Sequence, residues 1–203
     1  MFSFASRVVA ASVAAASFVF SSDAGVVRGS LQDGILIPVT STGIYLNFQT
    51  GAASANASAV PGWDVNIYGQ SGLNFISPGG YNFVRLNSAA PTDGPSALPA
   101  GFVVGQQLAG ASWITGGTAD EFALLSSNNV VGFRFVGSDG GTRYGWMRIS
   151  LGLSTTGADR RLVDFAFEST PGASIVAVPA PGAIALLAVS GATVLSRRRR
   201  AAA

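Results

Sequence analysis

The sequence predicts an all-β protein: an antiparallel two-layer β-sandwich, jelly-roll-like, with an N-terminal signal helix and a C-terminal transmembrane helix. Three observations lead there. Across residues 25–174, apolar residues alternate in short runs divided by Gly, Asn, Ser and Pro, the period-two pattern of half-buried strands. Helix signals are few in the same region. At each end the alternation gives way to an apolar stretch with positive charge on one side.

The first element is a signal peptide, residues 1–24. Arg7 is the only charge before Asp23, and residues 8–20 are Val, Ala, Phe and Ser. A basic start, an apolar core and then small residues define a secretory leader. Ser22, Asp23 and Ala24 place small residues at −3 and −1, so cleavage is expected after Ala24. Cutting at Ala14 or Ala16 would leave the apolar core too short.

The body follows as a single domain over residues 25–174. Strands are expected at 35–38 and 43–48. A hairpin then covers 63–76: Trp63, Val65 and Ile67 alternate, Gly69 to Gly72 turn, and Leu73 and Phe75 alternate back. Further strands are expected at 81–86 and 102–104, with loops at 51–60 and 88–100. Residues 118–125 suggest one capped helical turn, begun by Thr118.

The strongest strand signal is a second hairpin, at 130–151. Val131, Phe133 and Phe135 precede the loop 138–141, and Tyr144, Trp146 and Arg148 follow it. Closing about that loop sets Phe135 opposite Tyr144 and Phe133 opposite Trp146, on one face. The last strand, 161–168, alternates Leu162, Asp164, Ala166 and Glu168 with Val163, Phe165 and Phe167. That gives it one apolar and one mostly acidic face.

Composition narrows the chemistry. The chain has no Cys, His or Lys. Disulfides, thiol catalysis, Ser-His-Asp triads and His- or Cys-based zinc sites are therefore excluded. The basic pI comes from the end of the chain. The body carries seven arginines against nine acids, a net of −2, so nucleic acid is not an expected partner.

Candidate residues remain. Asp120 with Glu121, or Asp164 with Glu168, are the carboxylate pairs a glycoside hydrolase would need. Asp139, or Asp64 with Asn66, supply oxygens of the kind calcium takes. Trp63, Trp113, Tyr144 and Trp146 would stack on sugars if exposed, although such residues in alternating strands usually belong to the core.

The C-terminal element covers residues 175–203. Pro179 and Pro181 break its first part, so an apolar helix is expected at about 182–196. Fifteen residues rise roughly 22 Å, short of the ~30 Å hydrocarbon core, so the helix would span only with local thinning of the bilayer. Arg197, Arg198, Arg199 and Arg200 follow and would hold that end in the cytoplasm. Leader and tail thus agree on a body outside the cytoplasmic membrane.

Val178, Pro179, Ala180, Pro181, Gly182 and Ala183, then a short apolar helix, then a terminal arginine cluster: this order resembles the PEP-CTERM sorting signal of bacterial envelope proteins. The resemblance implies an exported protein held in the cytoplasmic membrane by the helix. It also implies processing near the Pro-x-Pro by an exosortase, a membrane transpeptidase. Pro179 and Pro181 match the two prolines of the motif. Ala180 stands where the motif usually has Glu, as in its alanine-bearing variant. Residues 131–151 and 162–175 also resemble the domain often found before this tail, which brings no known activity with it.

Together these readings predict a non-enzymatic protein of the cell envelope or extracellular matrix, without cofactor or metal. Its expected partners are the cytoplasmic membrane, an exosortase and exopolysaccharide. The alternatives are a carbohydrate-binding module using surface aromatics and, less favoured, a glycoside hydrolase.

Overall fold

The computed structural model describes residues 19–23, 25–79, 82–89, 94–119 and 121–177. Among the described residues strands account for 45% and helix for 2%, which settles the all-β class. In chain order the strands are β1 (Val19–Asp23), β2 (Val26–Leu36), β3 (Ile44–Leu46), β4 (Ala53–Ser54), β5 (Val65–Tyr68), β6 (Asn74–Ile76) and β7 (Phe83–Leu86). They continue with β8 (Val103–Val104), β9 (Ala111–Ile114), β10 (Gly116–Thr118), β11 (Ser126–Val136), β12 (Thr142–Leu151), β13 (Arg161–Glu168) and β14 (Ile175–Val176).

All pairings are antiparallel. Seven strands form one sheet in the order β1-β2-β13-β12-β11-β7-β9, five form a second in the order β10-β6-β5-β3-β4, and β14 with β8 makes a separate ribbon. The predicted 63–76 hairpin is present, with Ile67 opposite Phe75 and Tyr68 opposite Asn74. The predicted last strand coincides with β13.

One apolar cluster lies between the two sheets. The seven-stranded sheet contributes Val131, Phe133 and Phe135 from β11, Met147 and Ile149 from β12, and Leu162, Phe165 and Phe167 from β13. The five-stranded sheet answers with Ile44, Leu46, Val65, Ile67 and Phe75. Phe48, just past β3, sits at the centre. Its ring stacks on Phe133 with centroids 3.8 Å apart and meets Phe165 edge-on at 5.1 Å. Each such side chain contributes about 1.5–3 kcal/mol through removal from water.

The other face of the seven-stranded sheet is covered as well. Val84, Val130, Tyr144, Trp146 and Ala166 pack under Leu98, Val104, Ile175 and Ala177. The cover is the segment running from Gly94 to β8, together with β14. This explains why β11 and β12 are buried on both faces over most of their length.

That cover corrects two expectations. First, the hairpin loop has five residues, because Val136 pairs with Thr142. Phe135 therefore faces Arg143, Phe133 faces Gly145, and Tyr144 faces Arg134. This register differs by one residue from the predicted one and sends the phenylalanines and the Tyr144–Trp146 pair to opposite faces. Gly140, at φ +78°, supplies the left-handed residue the loop needs. Second, the acidic face of β13 is not open surface. Its register shifts between Leu162 and Asp164, which puts Leu162 with Phe165 and Phe167 in the core, and Asp164 pairs with Arg148.

Arg160 ties the layers together. It is fully buried, and its guanidinium donates to five backbone carbonyls: Ile37, Pro38, Gly69, Gly72 and Thr155. Those carbonyls follow β2, form the β5–β6 turn and lie in the loop before β13. A guanidinium has five N–H donors, so every one is used. Burial pushes its pKa down.

No helix is found at 118–125 among the described residues, and Asp120 lies outside them. The one helical turn among the described residues is Ala57–Ala59, where the Asn56 side chain accepts from the Ser58 N–H, within the expected loop 51–60. β1 falls inside the predicted leader, so cleavage after Ala24 would remove it and leave β2 at the sheet edge. Ala24 itself, residues 1–18 and the tail from Val178 onward lie outside the described residues. Ile175 and Val176, read with the tail, form β14 of the body. Among the described residues no helix is long and apolar enough to cross a membrane.

Candidate functional site

A polar concavity lies beside the β11–β12 hairpin tip. Two adjoining depressions, about 270 and 410 Å3, share Gly62, Asp64 and Val136 in their walls. The segment before β5 brings Trp63 and Asp64. The turn after β3 brings Asn47, Gln49 and Thr50. The segment after β6 brings Ser77 and Asn82, and the hairpin tip brings Ser138.

Local hydrogen bonds set this wall. Asn47 donates to the carbonyls of Pro61 (3.2 Å) and Gly62 (2.8 Å) while its Oδ1 accepts from the Thr50 N–H at 3.0 Å. One side chain thereby fixes both the turn after β3 and the entry to β5. Gln49 Oε1 accepts from the Ser138 N–H at 3.1 Å, joining the hairpin tip to the five-stranded sheet. Asn82 donates to Ser77 Oγ.

Asp64 is the titratable group of the cleft. Its N–H donates to the Leu46 carbonyl, and its Oδ2 accepts from the Phe48 N–H at 2.8 Å. Burial pushes its pKa up to about 6, and the Phe48 N–H partly offsets this. Desolvation penalises the charged form more than one backbone donor favours it. Beside it, Trp63 is half-buried and meets Tyr45 edge-on, with ring centroids 5.1 Å apart. A partly open indole next to amide and carboxyl groups is the inventory of a sugar subsite.

The predicted aromatic set is not brought together. Trp63 lines the cleft. Tyr144 and Trp146 are only 4% and 2% exposed, under the outer cover, so they are core and cannot stack on a ligand. Trp113 is half-buried on that same face, 5.9 Å from Tyr144 and with the Arg134 guanidinium 4.6 Å over its ring. Its accessible face is thus held by a cation.

The carboxylate candidates also separate. Asp164 is bound to Arg148, with Arg148 Nε donating to Oδ1 at 2.9 Å. Asp139 is held by Arg143 at 2.7 Å and caps the Gly141 N–H. That pairing keeps its pKa well below the usual carboxylate range. Asn66 donates to the carbonyls of Thr42 and Ile44, so it does not join Asp64 as a cation ligand. Among the described residues no three acids cluster as a metal site would require.

Sequence reasoning passed over Asn47, Gln49, Ser77 and Asn82. They come from separate turns, and no spacing rule connects such residues before the sheets are assembled.

Comparison with protein-family models, curated proteins and solved structures finds no match to the chain.

Proposed function

We propose that the chain is an exported bacterial envelope protein. Its body is a non-catalytic β-sandwich, held outside the cytoplasmic membrane by a C-terminal sorting tail. An exosortase processes the tail, and the body is then released or transferred to the cell surface, in contact with exopolysaccharide. The observation that carries this reading is the join between body and tail. Ala177, the last described residue, is buried and hydrogen-bonded to Phe102 and Gly101, and the Val178–Ala183 motif begins at the next residue. Domain and sorting signal thus abut without a linker.

Fractionation tests it. Deleting residues 178–203 should move the body from the membrane pellet to the medium. Continued membrane association of the shortened chain would overturn the anchor.

A second reading, carbohydrate binding, is favoured by one feature: Trp63 beside Asp64, Asn47 and Gln49 in an open cleft. Residues 25–177 should then bind an acidic or neutral glycan on an array, and Trp63→Ala should abolish the signal. Hydrolysis has less support. Asp64 is the one carboxylate among the residues lining the two depressions, whereas glycoside hydrolysis takes two.

A further inference from the structure

The root of the tail lies beside exposed apolar side chains. Val103 and Val176 face each other across the β8–β14 ribbon and are 49% and 48% exposed. Their neighbours Ile175 and Val104 point the other way and are buried. Pro99, Ala100 and Gly101, which lead into β8, are exposed too. No charged residue occurs from Gly94 to Ala119 or from Ser169 to Ala177. The two chain segments that frame the point where the chain leaves the body therefore carry no charge and present a pair of valines.

The chain holds this ribbon at a short distance from whatever the tail enters. Ala177 N donates to the Phe102 carbonyl at 2.8 Å, and the Gly101 N–H donates to the Ala177 carbonyl at 2.9 Å. The last described residue is thus clamped from both sides by the segment that leads into β8. Four residues, 178–181, separate it from the predicted apolar helix. Fully extended they reach at most roughly 14 Å. The polar layer of a bilayer is itself about 5–7 Å deep on each side. With so short a tether, the ribbon lies at the headgroups, where exposed apolar side chains gain by burial and charged ones would lose hydration.

We infer that the β8–β14 ribbon is the membrane-facing surface of the body and that Val103 and Val176 enter the interfacial layer of the bilayer. This rests on the tail being a membrane anchor. The occupant is lipid, because the tail that roots in the ribbon is itself the membrane anchor and the two segments that form the ribbon carry no charged residue to pair with an acidic or basic partner.

The absence of cysteine makes a site-specific test direct. The full chain carries one of Val103→Cys, Val176→Cys, Ala100→Cys or, as a hairpin-tip control, Val136→Cys. Each is labelled with an environment-sensitive fluorophore and placed in phosphatidylethanolamine–phosphatidylglycerol vesicles. Ala100→Cys leaves the ribbon intact should either valine variant fold poorly. The expected result is flotation with the vesicles, a blue shift at 100, 103 and 176, quenching there by spin-labelled lipid, and water-like emission at 136. Flotation with water-like emission at all four positions would overturn the inference and leave the anchor standing. Blue-shifted emission at 103 and 176 without lipid quenching would mean a second copy covers the ribbon, and would also overturn it. Failure to float would remove the anchor and the inference together.

Discussion

Phe133 lies over Gly145, its cross-strand partner. A Cβ at Gly145 would fall within 2.6 Å of both the Phe133 ring and the Ala166 carbonyl. Phe165 does the same over Gly29, 2.5 Å from where its Cβ would be. The glycines of these strands weaken the local backbone preference for β. Here the opposing ring occupies the space and restores the lost contact.

Gly145→Ala should therefore destabilise the body, by about 1–3 kcal/mol from overpacking. Gly145→Ala with Phe133→Leu should recover part of that loss. Urea unfolding of the two variants measures the difference, and an unchanged midpoint for the single variant would show that the ring moves aside freely.

The Arg148–Asp164 pair joins β12 to β13 on the covered outer face. Burial raises the Asp164 pKa, opposed by the Arg148 guanidinium. Removing one partner leaves the other charged group under the cover. Asp164→Asn or Arg148→Met alone should cost about 3–5 kcal/mol, whereas the double apolar replacement Arg148→Met with Asp164→Leu should be close to neutral. A double-mutant cycle in chemical denaturation checks the coupling.

Asp64 predicts an unusual pH dependence. Its carboxyl titrates near 6 folded against 3.8 as the ordinary value. The folded state therefore binds this proton more tightly. The favourable contribution is fully present below about pH 4 and is lost as pH rises through 6. At about 1.4 kcal/mol per unit, the loss is at most about 3 kcal/mol, reduced by the partial exposure of the cleft. Stability of the native protein should fall between pH 4 and 7. Asp64→Asn should flatten that slope and be the more stable form at pH 7, as read from denaturation midpoints across the range.

Arg160 is the most demanding single position. Arg160→Leu strips five carbonyls of their donor, at about 1–3 kcal/mol for each buried group left unpaired, and should prevent folding or shift the thermal midpoint by more than any other substitution proposed. Arg160→Lys keeps the charge but offers three donors for five acceptors. It should give a folded but weakened protein, separable from the Leu variant by circular dichroism melting.

Where period-two alternation met an ordinary turn, the strands were legible. The 63–76 hairpin and β13 appear at the predicted places because Val65, Ile67, Phe75, Phe165 and Phe167 mark their inner faces. The β11–β12 register was not legible, since alternation shows which residues share a face but not how many the loop consumes. The outer cover left still less trace. Leu98 and Leu108 stand among Gly, Pro, Ala and Gln without period, and the strand expected at 102–104 carried no sign of what it would cover, so nothing marked this segment as the lid over Trp146. Of the candidate site, Trp63 and Asp64 stood out by type. Their polar neighbours converge only through folding, and the terminal motifs lie outside the described residues, where the sequence alone speaks.

The pairing of β2 with β13 has a consequence for how the body comes into being. Val26 is matched with Glu168, and the carbonyls after β2 wait for Arg160. A chain emerging N-terminus first can assemble the five-stranded sheet, whose strands all lie within residues 44–118. The larger sheet stays open at its centre until residue 168 is free. Loop closure over so long a span slows folding, so the larger sheet and the cover on its outer face are the last parts of the body to assemble.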